Sequence, residues 1–225
     1  MNYNIGFMQG RLSLMEGKKI QSFPWLNWKN EFKIGKKLSF KLLEWTLDHK
    51  KLYSNPLMLK SGQKEIKNLC TKYNFKITSL TGDCFMQKPF WKTKKSKISK
   101  LQNNFLNIIN ESAKVGIKFI ILPLVDNGKI ENKKQEMILV SFLKKIYPIL
   151  RKNKLKILFE SDFAPKKYLK FIKKFNPNLI GINYDTGNSA SLGFDAKSEL
   201  NIYGKYIFNV HIKDRIYRGK TVELG

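Results

Sequence analysis

One rhythm constrains this chain more than any single residue does. Short runs of β-branched and aromatic residues recur at 3–8, 40–45, 75–80, 117–122, 155–160, 179–185 and 206–211. Between them lie lysine-rich stretches of helical period at 28–38, 63–73, 94–115, 133–152, 165–175 and, more weakly, 196–203. Such alternation predicts parallel strands joined by right-handed βαβ crossovers. Several helices run through a polar turn straight into the next strand, as in KYNFKITSL, KVGIKFIIL and RKNKLKILF. Gly116, Asn74 and Asn153 are the expected left-handed residues at those junctions.

Seven buried parallel strands with no hairpin signal among them favour a (β/α)8 TIM barrel over an open doubly wound sheet. The loop after the first strand reads MQGRLSLMEGKK and carries neither a dinucleotide-binding glycine fingerprint nor a P-loop. No break in composition marks a linker, so residues 1–225 are expected to form a single domain. Only 14 residues follow the seventh strand, whereas a barrel of this type runs to about 250 in all. The expectation is a TIM barrel truncated after strand seven, lacking most or all of its eighth βα unit. An open barrel edge would also invite a partner copy of the chain.

Charge says less than its size suggests. The chain has 43 basic and 17 acidic residues, a formal net charge of +26. Only four of the basic residues are arginines, and the 39 lysines are spread along the whole chain. Specific nucleic-acid readers favour arginine forks and clustered charge, so a solvated lysine surface without a specific nucleic-acid partner is expected. His49 and His211 are the only histidines, which excludes sites built from several imidazoles. Cys70 and Cys84 fit neither a CxxC nor a zinc spacing and read as reduced thiols of a cytoplasmic protein. The longest apolar run, residues 119–125, is far too short to span a bilayer.

Barrel active sites lie at the carboxyl ends of the strands. Strand five ends in Glu160, strand six in Asp185 and strand seven in His211, at spacings of 25 and 26 residues. Alone, each reads as a cap, turn or rim residue. Together, on three successive strand ends, two carboxylates and an imidazole suit one divalent ion: Mn2+, Mg2+, Co2+ or Zn2+.

The segments IGFMQGRLS, IQSFPW, LLEW, YDTGNSA and HIKDR, with G-K-T-V-x-L-G downstream, resemble the sugar phosphate isomerase/epimerases of the xylose isomerase-like superfamily, which includes AP endonuclease 2-like proteins. The resemblance implies that Glu160, Asp185 and His211 bind the metal and that Glu160 is one of two acid/base glutamates. It implies a sugar or sugar phosphate substrate converted through a cis-enediolate. The fourth ligand, a glutamate on strand eight, would follow the V-x-L-G segment, beyond Gly225. Asn188 stands where several relatives have histidine, which suggests a one-metal site. Lys213 and Arg215 are candidates for holding a sugar hydroxyl or phosphate, with Asp214 between them. Gln9 and Arg11 are expected to line the pocket, and Glu44 to contact substrate. Asp83 and Cys84 are placed at the end of strand three. Phe23, Pro24 and Trp25 fit either a cover over a sugar ring or plain packing.

Two other classes stay open. A non-catalytic sugar-binding barrel or decayed paralogue would explain the short C-terminus. An AP endonuclease-like enzyme would use the positive charge, but two histidines do not build a trinuclear zinc site.

Overall fold

The computed structural model describes residues 5–14 and 22–224. The first residues of the expected opening strand, the start of the IQSFPW motif and Gly225 lie outside the described residues. Seven strands follow one another in chain order: β1 (Gly6–Met8), β2 (Leu42–Thr46), β3 (Lys76–Thr81), β4 (Phe119–Leu124), β5 (Lys156–Ser161), β6 (Ile180–Asp185) and β7 (Ile207–His211). Each pairs in parallel with the next. The helices are α1 (Asn30–Lys37), α2 (Lys60–Tyr73), α3 (Asp83–Gln87), α4 (Lys95–Lys114), α5 (Lys133–Lys145), α6 (Tyr147–Asn153), α7 (Pro165–Ile172), α8 (Thr186–Ser191) and α9 (Ala196–Tyr203).

The sheet curls. Its proof is a contact between strands five places apart: His211 Nε2 of β7 lies 2.9 Å from Glu44 Oε1 of β2. A flat sheet would hold those strands more than 20 Å apart, at about 4.8 Å per strand. The result is an incomplete TIM barrel, as the strand count led us to expect. Among the described residues β1 and β7 do not pair with each other, and Ile5, Val210 and Ile212 are exposed.

Side chains alternate between barrel interior and helix layer. Along β5, Ile157 and Phe159 are fully buried in the main core, where Phe159 stacks near Phe171 of α7. Glu160, next in line, turns the other way into the barrel mouth. This alternation delivers polar groups to the lumen from strands whose outer face is largely apolar.

Three local expectations need correction. The stretch 133–152 is two helices, because α5 ends at Lys145 and Pro148 opens α6; proline inside a helix would remove a hydrogen bond and clash with the preceding turn. At the end of α6 the left-handed residue is Lys154 (φ 54°), not Asn153. Asn153 stays helical, with its side-chain amide donating to Ile149 O at 3.0 Å and Asn110 Oδ1 at 3.1 Å. Asn74 and Gly116 do take positive φ. Finally, Asp83 and Cys84 open α3 rather than end a strand.

Two buried carboxylates tie down the chain between β1 and α1. Glu31 accepts from Gly10 N–H on both oxygens (3.0 and 2.9 Å) and from Leu12 N–H (3.0 Å). Asp48 accepts from Phe23 N–H at 2.8 Å. Burial raises the Glu31 carboxyl above its ordinary range, against the opposing pull of these hydrogen bonds. A carboxyl raised on folding favours the native state while protonated. Its contribution declines as pH climbs from the ordinary carboxylate value through the raised one. Glu31→Gln keeps an acceptor and never ionises, so its stability relative to wild type should improve between about pH 4 and about pH 7. Urea titrations at both pH values test this, and a gap that does not change with pH would count against it.

Candidate active site

The parallel register brings the strand ends together. Asp185 and His211 are paired neighbours across β6 and β7, while Glu160 lies one residue from the end of β5. One ligand atom from each of Glu160, Asp185 and His211 can be chosen so that all three lie within 4.8 Å of one another. Donors about 2.0–2.2 Å from a common ion lie at most about 4.4 Å apart, so the three groups need only a small inward shift to share one ion. The donor set of two carboxylates and one imidazole fits a divalent cation.

Each ligand is held by a second group. Glu160 Oε1 accepts from Asn188 Nδ2 at 2.7 Å, and Oε2 accepts from Asn183 Nδ2 at 2.9 Å. Asp185 caps α8: its Oδ1 accepts from Asn188 N–H at 2.7 Å, the usual role of an N-cap carboxylate. Its Oδ2 pairs with Lys213 Nζ at 2.8 Å. His211 lies between two carboxylates, with Nε2 against Glu44 Oε1 and Nδ1 3.3 Å from Glu160 Oε2.

These contacts set the charges. Burial by itself would raise the Glu160 carboxyl, but the His211 imidazole, Lys213 and Asn183 outweigh it and hold the pKa below its ordinary value. Burial and the neighbouring Glu160 charge raise Asp185, although Lys213 and the Asn188 N–H pull the other way. For His211, burial opposes the charged ring, yet Glu44 and Glu160 push its pKa well above the ordinary range. A divalent ion would take the place of the Nδ1 proton, leaving Nε2–H on Glu44.

A cavity of about 1540 Å³ opens over this cluster. Arg11, Glu44, Asp83, Glu160, Asp185, Asn188, His211, Lys213 and Arg215 reach its wall. Gln9 does not line it. That side chain is fully buried, with its Oε1 3.4 Å from Thr46 N and its carbonyl accepting from the Thr46 hydroxyl at 2.8 Å. Arg215 also differs from expectation. Its guanidinium donates to Gly219 O (3.1 and 2.8 Å) and to Asn188 Oδ1 (2.8 Å), so it orients the amide that holds Glu160. Phe23 is fully buried against Trp25, Trp28 and Trp45, so packing is its role. Cys84 is buried, and burial raises its thiol well above the ordinary range.

Sequence reasoning missed Asn183 and Asn209. Asn183 donates to Glu160 Oε2, and its Nδ2 lies 3.0 Å from the imidazole Nδ1, to which it can donate only when that nitrogen carries no proton. Asn209 Nδ2 donates to Asn183 Oδ1 at 2.7 Å and fixes which way that amide points. The signal was present: each asparagine stands two residues before a ligand, on the same face of its strand. The hairpin of β8 (Asp214–Arg215) and β9 (Thr221–Val222) was also missed. It carries Arg215 back towards Asn188.

A family model described as xylose isomerase-like TIM barrel matches residues 32–223. The chain belongs to this family. Solved structures share the fold at low identity. A sugar phosphate isomerase/epimerase from Parabacteroides distasonis is 15% identical, with a TM-score of 0.64 over 85% of this chain and 71% of that one. A D-psicose 3-epimerase from Clostridium cellulolyticum, solved with D-tagatose, is 15% identical, with a TM-score of 0.65 over 82% and 67%. An IolI protein solved with a zinc atom is 17% identical, with a TM-score of 0.64 over 83% and 68%. No curated protein matches the chain in sequence. The family and its structural neighbours indicate a carbohydrate isomerase/epimerase fold, and some neighbours bind metal.

Proposed function

We propose that this chain is a divalent-metal-dependent isomerase or epimerase of a sugar or sugar phosphate, acting through a cis-enediolate. One observation carries the reading: Glu160, Asp185 and His211 converge within 4.8 Å on the wall of a large cavity. Mn2+, Mg2+, Co2+ or Zn2+ held there would polarise the substrate carbonyl and stabilise enediolate charge as a Lewis acid.

The chain's own residues supply the rest. Glu160, kept ionised by its neighbours, takes the proton from the carbon beside the carbonyl. Return of that proton to the adjacent carbon interconverts aldose and ketose. Inversion at one carbon needs a second donor on the opposite face. Asn183 and Asn188 each hold one oxygen of Glu160 and limit its rotation. Glu44 orients His211, and Arg215 orients Asn188. Arg11 and Lys213 reach the cavity wall, where cations suit an anionic or polyhydroxylated ligand.

We also propose one domain across residues 1–225 and a cytoplasmic location. Free thiols at Cys70 and Cys84 support the latter, and no helix among the described residues is long and apolar enough to cross a membrane. The decisive experiment incubates the protein with Mn2+ and a panel of keto-sugars and their phosphates in deuterated water. The reading expects metal-dependent loss of an α-proton signal by NMR from at least one sugar. Absence of both metal binding and exchange would overturn it.

A further inference from the structure

Lys213 occupies a carboxylate oxygen that a metal ion would use. Its ammonium lies 2.8 Å from Asp185 Oδ2, the one oxygen of Asp185 that α8 does not use, since Oδ1 caps Asn188 N–H. Two devices place it there. Thr186 Oγ1 donates to Lys213 O at 3.0 Å and accepts from Lys213 N–H at 3.1 Å. Gly187 leaves room for the lysine stem: a Cβ at that position would lie 2.5 Å from Lys213 Cγ and 2.8 Å from its carbonyl oxygen. The stem is thus pinned at its base, while the side chain is 29% exposed and reaches the large cavity. Arg215, two residues on, is committed to Gly219 and Asn188. The Lys213 ammonium, by contrast, is held by one ion pair to Asp185 and can swing about its pinned base.

An ammonium and a divalent ion cannot both crowd one carboxylate oxygen without strong repulsion. We infer that Lys213 is the resident counter-cation of this site: it yields Asp185 to the incoming metal and turns to the anionic group of a phosphorylated sugar. Ion and sugar phosphate then bind with positive coupling, because each favours the same position of the lysine. This rests on the metal-site reading above and adds to it a preference for phosphorylated substrates.

The test uses the full chain with Lys213→Met, which keeps the stem, and Lys213→Arg, which keeps the charge. Titration calorimetry with Mn2+ alone should show Lys213→Met binding the ion about tenfold more tightly than wild type, with Lys213→Arg near wild type. With Mn2+ saturating, Lys213→Met should lose about tenfold in affinity for fructose 6-phosphate and nothing for fructose. Unchanged or weaker Mn2+ binding by Lys213→Met overturns the counter-cation role. Equal losses for the two sugars overturn the transfer to phosphate. If wild type takes up no Mn2+ at all, the metal-site reading itself fails, a result distinct from either.

Discussion

Glu160→Gln is expected to slow α-proton exchange and turnover by about a thousandfold, within the range for losing a positioned general base. The substitution is nearly isosteric, but the surroundings are built for a carboxylate. Both oxygens of Glu160 accept from asparagine amides, so the new NH2 group would face a donor on one side. Turning Asn183 to relieve this breaks its bond from Asn209, and turning Asn188 breaks its bond from Arg215. The variant therefore loses the base and also carries a mismatched polar network, at about 1–3 kcal/mol of stability. A cost of that size leaves the chain folded, so the activity loss can be read separately. Proton exchange in deuterated water, with circular dichroism on the same sample, measures both. Exchange at the wild-type rate would remove Glu160 from the chemistry.

The ligand triad was legible because its register is set by topology. A parallel sheet with one crossover between strands spaces equivalent strand ends by one βα unit, and Glu160, Asp185 and His211 obey that spacing. The central strands were legible for a related reason: β4, β5 and β6, largely buried on both faces, read as nearly continuous apolar runs. What stayed hidden was structure made by contacts distant in sequence. The Glu44 contact with His211 depends on closure of the sheet across 167 residues, which no local pattern encodes. The segment TGNSAS of α8 has no apolar period and forms around the Asp185 cap. Asn183 was masked by the chain's 20 asparagines, although its place two residues before Asp185 marked it as sharing that ligand's face. Pro148 is different, since the helix break it causes was readable and the apolar period simply ran past it.

Neighbouring positions on β2 separate fold from site in one experiment. Trp45 is fully buried, with Phe23 and Trp28 ring centroids 5.5 and 5.7 Å away, and its indole N–H donates to Asn55 Oδ1 at 3.0 Å. Glu44, one residue earlier, points the opposite way into the cavity and meets His211. Trp45→Ala should therefore destabilise the protein by about 3–5 kcal/mol, the usual cost of emptying a large aromatic site in a packed core. Trp45→Phe should recover much of this, because Asn55 Oδ1 keeps its bond from Leu57 N–H. Glu44→Gln retains an oxygen acceptor for His211 and should shift the urea midpoint far less. Its effect belongs in metal affinity, since the oriented imidazole is what Glu44 supplies. Urea unfolding followed by tryptophan fluorescence, with Mn2+ titrations of the same variants, reads both effects. If Trp45→Ala unfolds within about 1 kcal/mol of wild type, the aromatic cluster does not anchor β2. Glu44 would then lack the rigid strand that its reach across the barrel requires.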